Sequence, residues 1–412
     1  MNFKKLPLLI IGVGILSIFI QPFCTSGQKQ TPAYQRWGIT KPIADTSAER
    51  ELVTAYDLFY NLDYEPAKNI YREIVANFPD DAEAYLGMSM ANRYLGLRME
   101  ALADCRKALE LDPDAIAAQL NYADLIPHFR GIETGLNLTD SQRIATSIDY
   151  CQKALKTKHP LAAYAHIILF GDYLIGFGGW DKTKEQLIEL GRKDYFPPML
   201  KDYAYNLLNT VDADAILFTQ GDNDTYPLLS LQEYEGVRKD VSVVNINLLN
   251  VPQIAILMRN MFRVPISYND SFLATFQPKR DSVTGKIILA QEILINNIIE
   301  NAPEFNRPVY FSTTVARDNI GKHQENLVME GLAWRVVAKK TKDSTDINKV
   351  IMNMTEKYRL DNVEQKEVWS ANLSPITRKY KGLGINYIAC YSVMTDHYQN
   401  QKEIDKAVSG YR

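Results

Sequence analysis

The sequence predicts two unlike halves: a helical-repeat solenoid, then an α/β domain with a mainly parallel sheet, closed by a helical C-terminus. Three observations carry this reading. Residue types recur at a fixed period of 34 between Tyr64 and Pro113. After Pro197-Pro198, short β-branched runs alternate with segments of helical spacing. From 345 onward the helical spacing returns. The implied segments are 1–27 (leader or anchor), 45–195 (helical repeats), 200–340 (α/β) and 345–412 (helical). A chain of 412 residues has room for two or three domains. Its 46% hydrophobic and 23% charged content is ordinary for a folded protein.

The N-terminus reads as an export signal. Lys4 and Lys5 precede an uncharged apolar run from Leu6 to Ile20, followed by small polar residues. The run is shorter than the ~18 apolar residues that favour a spanning helix. Cleavage near Ser26 or Gly27 would leave a mature chain beginning at Gln28. A lipid anchor on Cys24 and an uncleaved anchor are the alternatives. The expected location is the periplasm or cell envelope, with membrane association only through the N-terminus.

Net charge is −3, from 46 basic and 49 acidic residues. A nucleic-acid partner, which calls for a basic face, is not expected. Cys105, Cys151 and Cys390 form no Cys-x-x-Cys pair, so neither a zinc site nor a redox motif is indicated. They fit small buried hydrophobes, with a Cys105–Cys151 disulfide as the alternative after export.

In the first half, Tyr64-Glu-Pro-Ala67-Lys-Asn-Ile-Tyr71 aligns with Arg98-Met-Glu-Ala101-Leu-Ala-Asp-Cys105. Pro79 aligns with Pro113 at the same spacing of 34. Small Ala67 and Ala101 let antiparallel helices approach, and the prolines follow helix ends. Cys151-Gln-Lys-Ala-Leu resembles Cys105-Arg-Lys-Ala-Leu and marks a degenerate further repeat. Asp124 to Thr139 reads as an inserted loop, and Leu161 to Leu190 as a last helical pair broken at Gly176–Gly179. The pattern resembles tetratricopeptide repeats, specifically over 48–115 and more weakly to about 195. That resemblance implies an α-helical tetratricopeptide-like solenoid that binds a protein or peptide. Tyr85 and Asn92, on one stripe with Met88, are the candidate partner-binding residues.

In the second half, Ala215–Thr219, Val241–Leu249, Arg307–Val315 and Leu332–Val337 read as strands. Tyr226–Glu235, about 252–262 and 287–300 read as helices. This order predicts a Rossmann-like, mainly parallel sheet covered on both faces. Ligands of such sheets sit outside the carboxyl ends of the strands. Those ends carry Gly221, Asp222, Asn223, Asp224, Asn247, Asn250, Ser312 and Thr313.

Asp222-Asn223-Asp224 has an Asp-x-Asp form, and paired carboxylates suit a divalent cation against a diphosphate. Asp222 and Asp224 are therefore candidate metal ligands, and Asn223, Asn247 and Asn250 candidate ligand-binding residues. An aspartyl phosphohydrolase is excluded by spacing, because Thr225 follows Asp224 directly. No phosphate-cradling glycine loop, nucleophile elbow or histidine pair is present, and no catalytic residue is assigned. The competing reading is local. Gly221 would take positive φ at a tight turn, Asp224 or Thr225 would cap the helix entering at Pro227, and Asp222 would bond within its own turn.

The block Ala215–Leu228, Gln232–Val241, Val244–Asn250, Arg307–Ser312 and Glu330–Arg335 resembles the soluble C-terminal region of bacterial protein-O-mannosyltransferase-like membrane proteins. It covers roughly 205–340. The transferase-like part of those proteins is a multi-span membrane domain absent from this sequence, so the resemblance implies no mannosyl transfer. It implies an envelope protein, with Asp222 and Asp224 in its most recognisable block. Finally, Ile385–Met394 and Lys402–Ala407 read as a further helical pair. The expectation is protein interaction or scaffolding rather than catalysis. The alternative is a metal-dependent sugar or nucleotide-sugar site at Asp222/Asp224.

Overall fold

The computed structural model describes residues 36–128, 138–177, 179–276, 278–280, 282, 285, 287–339, 344–363 and 375–403. The protein is mostly helical, with a small mixed sheet of five strands in its C-terminal half. It divides into two compact units, with the boundary between Lys193 and Asp194.

The first unit is a run of helices, each packed on the next: α1 (Thr46–Tyr60), α2 (Tyr64–Asn77), α3 (Ala82–Tyr94), α4 (Arg98–Leu111), α5 (Ile116–Leu125), α6 (Asp140–Leu155), α7 (Ala165–Asp172) and α8 (Gly179–Arg192). Helices α2 and α4 both begin and end 34 residues apart, and Pro79 and Pro113 lie two residues beyond their last turns. Local chemistry sets the starts. Asp45 accepts from the Ser47 and Ala48 N–H groups, Asp81 accepts from the Ala84 N–H at 2.6 Å, and Thr139 with Gln142 forms a reciprocal capping box. Ala67 and Ala101 are fully buried, as close helix approach requires. The tightest approach is at Gly87, where any Cβ would lie 2.3 Å from the buried Tyr71 ring.

Two expectations change here. Asp124 and Leu125 belong to α5, and Ile126–His128 continue it as a short 3-10 turn; residues 129–137 of the expected loop lie outside the described ones. Cys105 and Cys151 are buried free thiols, so the alternative disulfide is absent.

The second unit begins with α9 (Pro198–Thr210), then β1 (Ile216–Thr219), α10 (Tyr226–Ser230), β2 (Ser242–Asn245), α11 (Pro252–Met261) and α12 (Asp270–Thr275). A small antiparallel pair, β3 (Lys279–Arg280) and β4 (Ile287–Ile288), precedes α13 (Ala290–Asn301). Then come β5 (Val309–Ser312), α14 (Arg317–Ile320), β6 (Leu327–Met329), β7 (Ala333–Val336), α15 (Ile347–Met352) and α16 (Pro375–Asn400). Strand order is β2-β1-β5-β7-β6.

The sheet is mixed rather than mainly parallel. β1 pairs parallel with β2 and β5, but β7 runs antiparallel to both β5 and β6. The reason is loop length. Only three residues join β6 to β7, with Gly331 at φ 124°, and a parallel crossover needs a dozen or more. β1, β2 and β5 are buried throughout, in keeping with the apolar runs at their centres.

Three further expectations are corrected. The helix expected from 287 begins at Ala290, because Ile287 and Ile288 pair as a strand. Helical spacing over Tyr226–Glu235 puts Leu228, Leu231 and Tyr234 on one face, yet only the two leucines are buried and Tyr234 is 46% exposed. Ile385–Met394 lies in the single long helix α16, which ends at Asn400, and Lys402 takes a positive φ of 63°. The expected following helix extends beyond the described residues. The C-terminal segment packs into this unit: the Asn206 side chain on α9 donates to the Tyr387 hydroxyl and the Arg359 carbonyl, each at 2.8 Å.

Candidate functional site

From β1 the chain goes to β2 on one side, while β5 lies on the other. The carboxyl ends of β1 and β5 therefore flank the point where the sheet reverses direction, the usual place for a ligand in such a sheet. Residues 220–225 leave β1 there, and residues 313–316 leave β5.

The segment after β1 folds back through its own main chain. The Asp222 carbonyl accepts from the Thr225 and Tyr226 N–H groups at 3.2 and 2.9 Å, which starts α10. Asp224 points the other way. Its carboxylate accepts from the Gly221 N–H at 2.7 Å and the Gln220 N–H at 3.2 Å, and also from the Thr314 hydroxyl. Asp224 thus ties the β1 loop to the β5 loop and does not cap the helix. Thr225 occupies the N-cap position without a capping bond. Its hydroxyl instead donates to the Gly221 carbonyl at 2.6 Å, lies 2.7 Å from the Thr219 hydroxyl and accepts from Asn245 at 3.0 Å. Gly221 is not at positive φ, contrary to expectation. It is small because a Cβ would sit 3.3 Å from an Asp224 carboxylate oxygen.

A second tie runs parallel to the first. The Gln220 side-chain carbonyl accepts from the Ala316 N–H at 2.7 Å, and its main-chain carbonyl accepts from Asn247 at 2.9 Å. Asn250 belongs to a different partnership, exchanging bonds with Gln291 on α13 at 2.7 and 3.1 Å. The five candidate residues therefore share one end of the sheet but not one cluster.

Burial pushes the Asp224 carboxyl above the usual carboxylate range, against the three donors that favour its anion. Nearby, the Asn223 Oδ1 and Thr313 Oγ1 atoms are buried without hydrogen-bond partners. The fully buried Tyr203 ring brings its hydroxyl toward Ser312 and Thr313, and burial raises its pKa as well. Chemically this edge offers acceptors and hydroxyls. A cation at Asp224 would compete with the three donors already on its carboxylate. Among the described residues there is no grouping of three or more His, Cys, Asp or Glu side chains able to hold a metal ion.

In the first unit, Asn92 is buried and donates to Asp104 at 2.9 Å, within its own helix pair, while Tyr85 is half-buried. Sequence reasoning missed the polar core beside them. Arg93 binds Asp124 and donates to Asn121 at 3.1 Å, Tyr164 donates to Asp124 at 2.9 Å, and Asn121 donates to Ser89 at 2.7 Å. The available signal was the run Ile116–Leu125, where Gln119, Asn121 and Asp124 interrupt an otherwise apolar helical segment.

A groove of about 500 Å³ opens in this unit where α4 turns into α5 beside α6. Leu109, Ile116 and Gln119 line one side and Tyr150, Lys153 and Lys156 the other.

No helix among the described residues is long and apolar enough to cross a membrane. The family model of TMEM260-associated domain 2 matches residues 200–273 and 280–355, which lie in the second unit. Sperm-associated antigen 1 of Rattus norvegicus is 36% identical over 91 residues, 22% of this chain and 10% of that protein. The Mus musculus protein of the same name matches to the same extent. This chain thus spans about a tenth of the length of these curated relatives, a likeness that hints at tetratricopeptide-repeat proteins. No solved structure matches the chain.

Proposed function

We propose that this chain is an exported cell-envelope protein whose tetratricopeptide-like half is a protein-interaction scaffold. The observation that carries this is the groove at the α4–α5 turn, left open in a unit whose interior polar groups are largely bonded to one another. The sheet edge supports binding less well, because Asp224 is engaged by three donors of its own fold. In this reading the second unit is a counterpart of the soluble region of the mannosyltransferase-like membrane proteins, and no transfer activity comes with it.

The test is photo-crosslinking of the full chain in its native cell, with the reactive residue at position 85, 119 or 156, and at 279 as a control in the other unit. A discrete adduct from the repeat positions, reproduced with the purified partner, supports the scaffold. Adducts confined to position 279, or none, reject it.

A second reading is favoured by the unpartnered buried acceptor Asn223 Oδ1. It is a polar ligand, such as a sugar or nucleotide sugar with a divalent ion, at the edge carrying Asp222 and Asp224. A thermal shift with Mn²⁺, Mg²⁺ or Ca²⁺ and nucleotide sugars, lost in Asn223→Ala, supports it; no shift rejects it.

A further inference from the structure

The groove has a chemistry of its own. Its floor is apolar, made by Leu109 and Ile116, with the Tyr150 ring as a wall. At its side stands Gln119, 5% exposed. The Gln119 amide nitrogen donates to the Pro113 carbonyl at 2.8 Å, which fixes the side chain, and its Oε1 atom is buried with no hydrogen-bond partner. An unmet buried acceptor is costly unless a ligand or water supplies a donor. The lining carries two ammonium groups, one of them already paired. Lys153 pairs with Asp149 at 2.7 Å and lies 4.8 Å from the Tyr150 ring centre, and Lys156 makes no ion pair among the described residues. Asp114, at the α4–α5 turn, is the one carboxylate among the lining residues.

We propose that this groove is a docking site for an extended acidic peptide segment of a partner protein. An apolar side chain of the peptide would cover Leu109, Ile116 and the Tyr150 ring. A peptide N–H would donate to Gln119 Oε1, and an Asp or Glu next to the apolar anchor would meet Lys156. Each element answers one observation: the apolar floor, the unmet acceptor and the uncommitted ammonium. The volume fits one anchor side chain with its flanking backbone, since pockets for small ligands run from about 300 to 1,000 Å³. The site involves the second helices of successive pairs, α4 and α6, and is separate from the Tyr85/Asn92 stripe on α3. The inference rests on the scaffold reading and sharpens it.

The probe is an array of synthetic octapeptides, each with one Leu or Phe flanked by Asp/Glu, by Lys/Arg or by neutral residues, tested on the full chain by fluorescence anisotropy. Acidic peptides should bind at least 10-fold tighter than their charge-reversed counterparts, and rising salt should erode the difference. The exposed substitution Lys156→Glu should remove or invert that preference while leaving the melting temperature unchanged. Gln119→Leu should weaken all binders several-fold and keep the charge preference. Binding blind to peptide charge, or unaltered by both substitutions, overturns the site. Peptide binding abolished by Tyr85→Ala but unaltered by Lys156→Glu also overturns it while leaving the scaffold standing. No peptide binding at all overturns it too, and the crosslinking result then decides the scaffold alone.

Discussion

Replacing Asp224 by asparagine separates a fold-holding carboxylate from one kept for a ligand. Asp224 accepts from Gly221 N–H through one oxygen, and from Gln220 N–H and Thr314 hydroxyl through the other. Asparagine has a single acceptor oxygen. With its amide nitrogen toward Gly221, it loses the 2.7 Å bond and sets two N–H groups against each other. With the nitrogen toward Thr314, the hydroxyl can reverse and accept, but the 3.2 Å bond from Gln220 is lost. The second arrangement costs less, so one bond to a charged acceptor disappears and one N–H is left without its partner. Such a loss is worth about 1.5–3 kcal/mol. Removing the buried charge returns part of this, because burial already disfavours the anion. The expected net loss for Asp224→Asn is about 1–2 kcal/mol. Asp224→Ala strands all three donors and should lose about 3–5 kcal/mol. Urea unfolding of the full chain, with hydrogen exchange read on peptides covering 216–230 and 309–316, measures both. A variant equal to or more stable than the parent refutes the argument. That outcome would mark Asp224 as a residue held at a cost to stability for the sake of binding.

Three more outcomes are expected. Gly87→Ala should destabilise by about 1–3 kcal/mol, since overpacking against the buried Tyr71 ring at 2.3 Å exceeds the ~1 kcal/mol gained in helix propensity; chemical denaturation checks the sign, and the added substitution Tyr71→Leu should recover part of the loss. Glu83, buried with Arg36 and near Glu49 and Asp81, has its pKa pushed up by burial to about 7. Its unfolded value is about 4.3, so the folded chain holds the proton more tightly. The stability it contributes is therefore present at low pH and lost as pH rises through about 7. Melting temperature should fall across that window in the parent, and Glu83→Gln should flatten the profile. Arg307 donates to the carbonyls of Asp214, Ala215, Phe262 and Arg263 and to the Ser242 hydroxyl. A lysine there has three donors at most, so Arg307→Lys should cost about 2–4 kcal/mol in equilibrium unfolding.

What the sequence revealed was whatever is local. Pro79 and Pro113 each stand two residues past a helix end, a role that a proline after a helical stripe announces. The spacing of Ala67 from Ala101 marks the helix pairs because each repeats the same close approach. Asp224 was harder, because its partner Thr314 lies 90 residues away and its local spacing looked equally like a cap. Gly221 was misread for a related reason: its constraint is a neighbouring side chain, not its own backbone angle. The strand at 332–337 was legible, but its antiparallel direction was not, because its partner β6 has only three residues and no alternation to read. The groove was invisible, as Leu109, Gln119 and Tyr150 come from three helices and converge only when those helices pack.

The strand order carries a consequence for how the chain reaches its final state. The inner strand β1 is flanked by β2, which follows within about 25 residues, and by β5, which begins 93 residues after β1 begins. The helices of the first unit meet their neighbours as soon as the next is made. β1 instead waits with one edge unsatisfied while residues 246–308 emerge. At a synthesis rate of ~5–20 residues per second that wait lasts roughly 3–13 s. The chain therefore matures in two tempos, a quick local one and a slow one gated by Val309–Ser312. Arrested nascent chains ending before and after 312 should differ sharply in protease resistance at 216–245 and hardly at all at 46–111. Until β5 arrives, the exposed edge of β1 is the point at which a holding factor or a second copy would engage the growing chain.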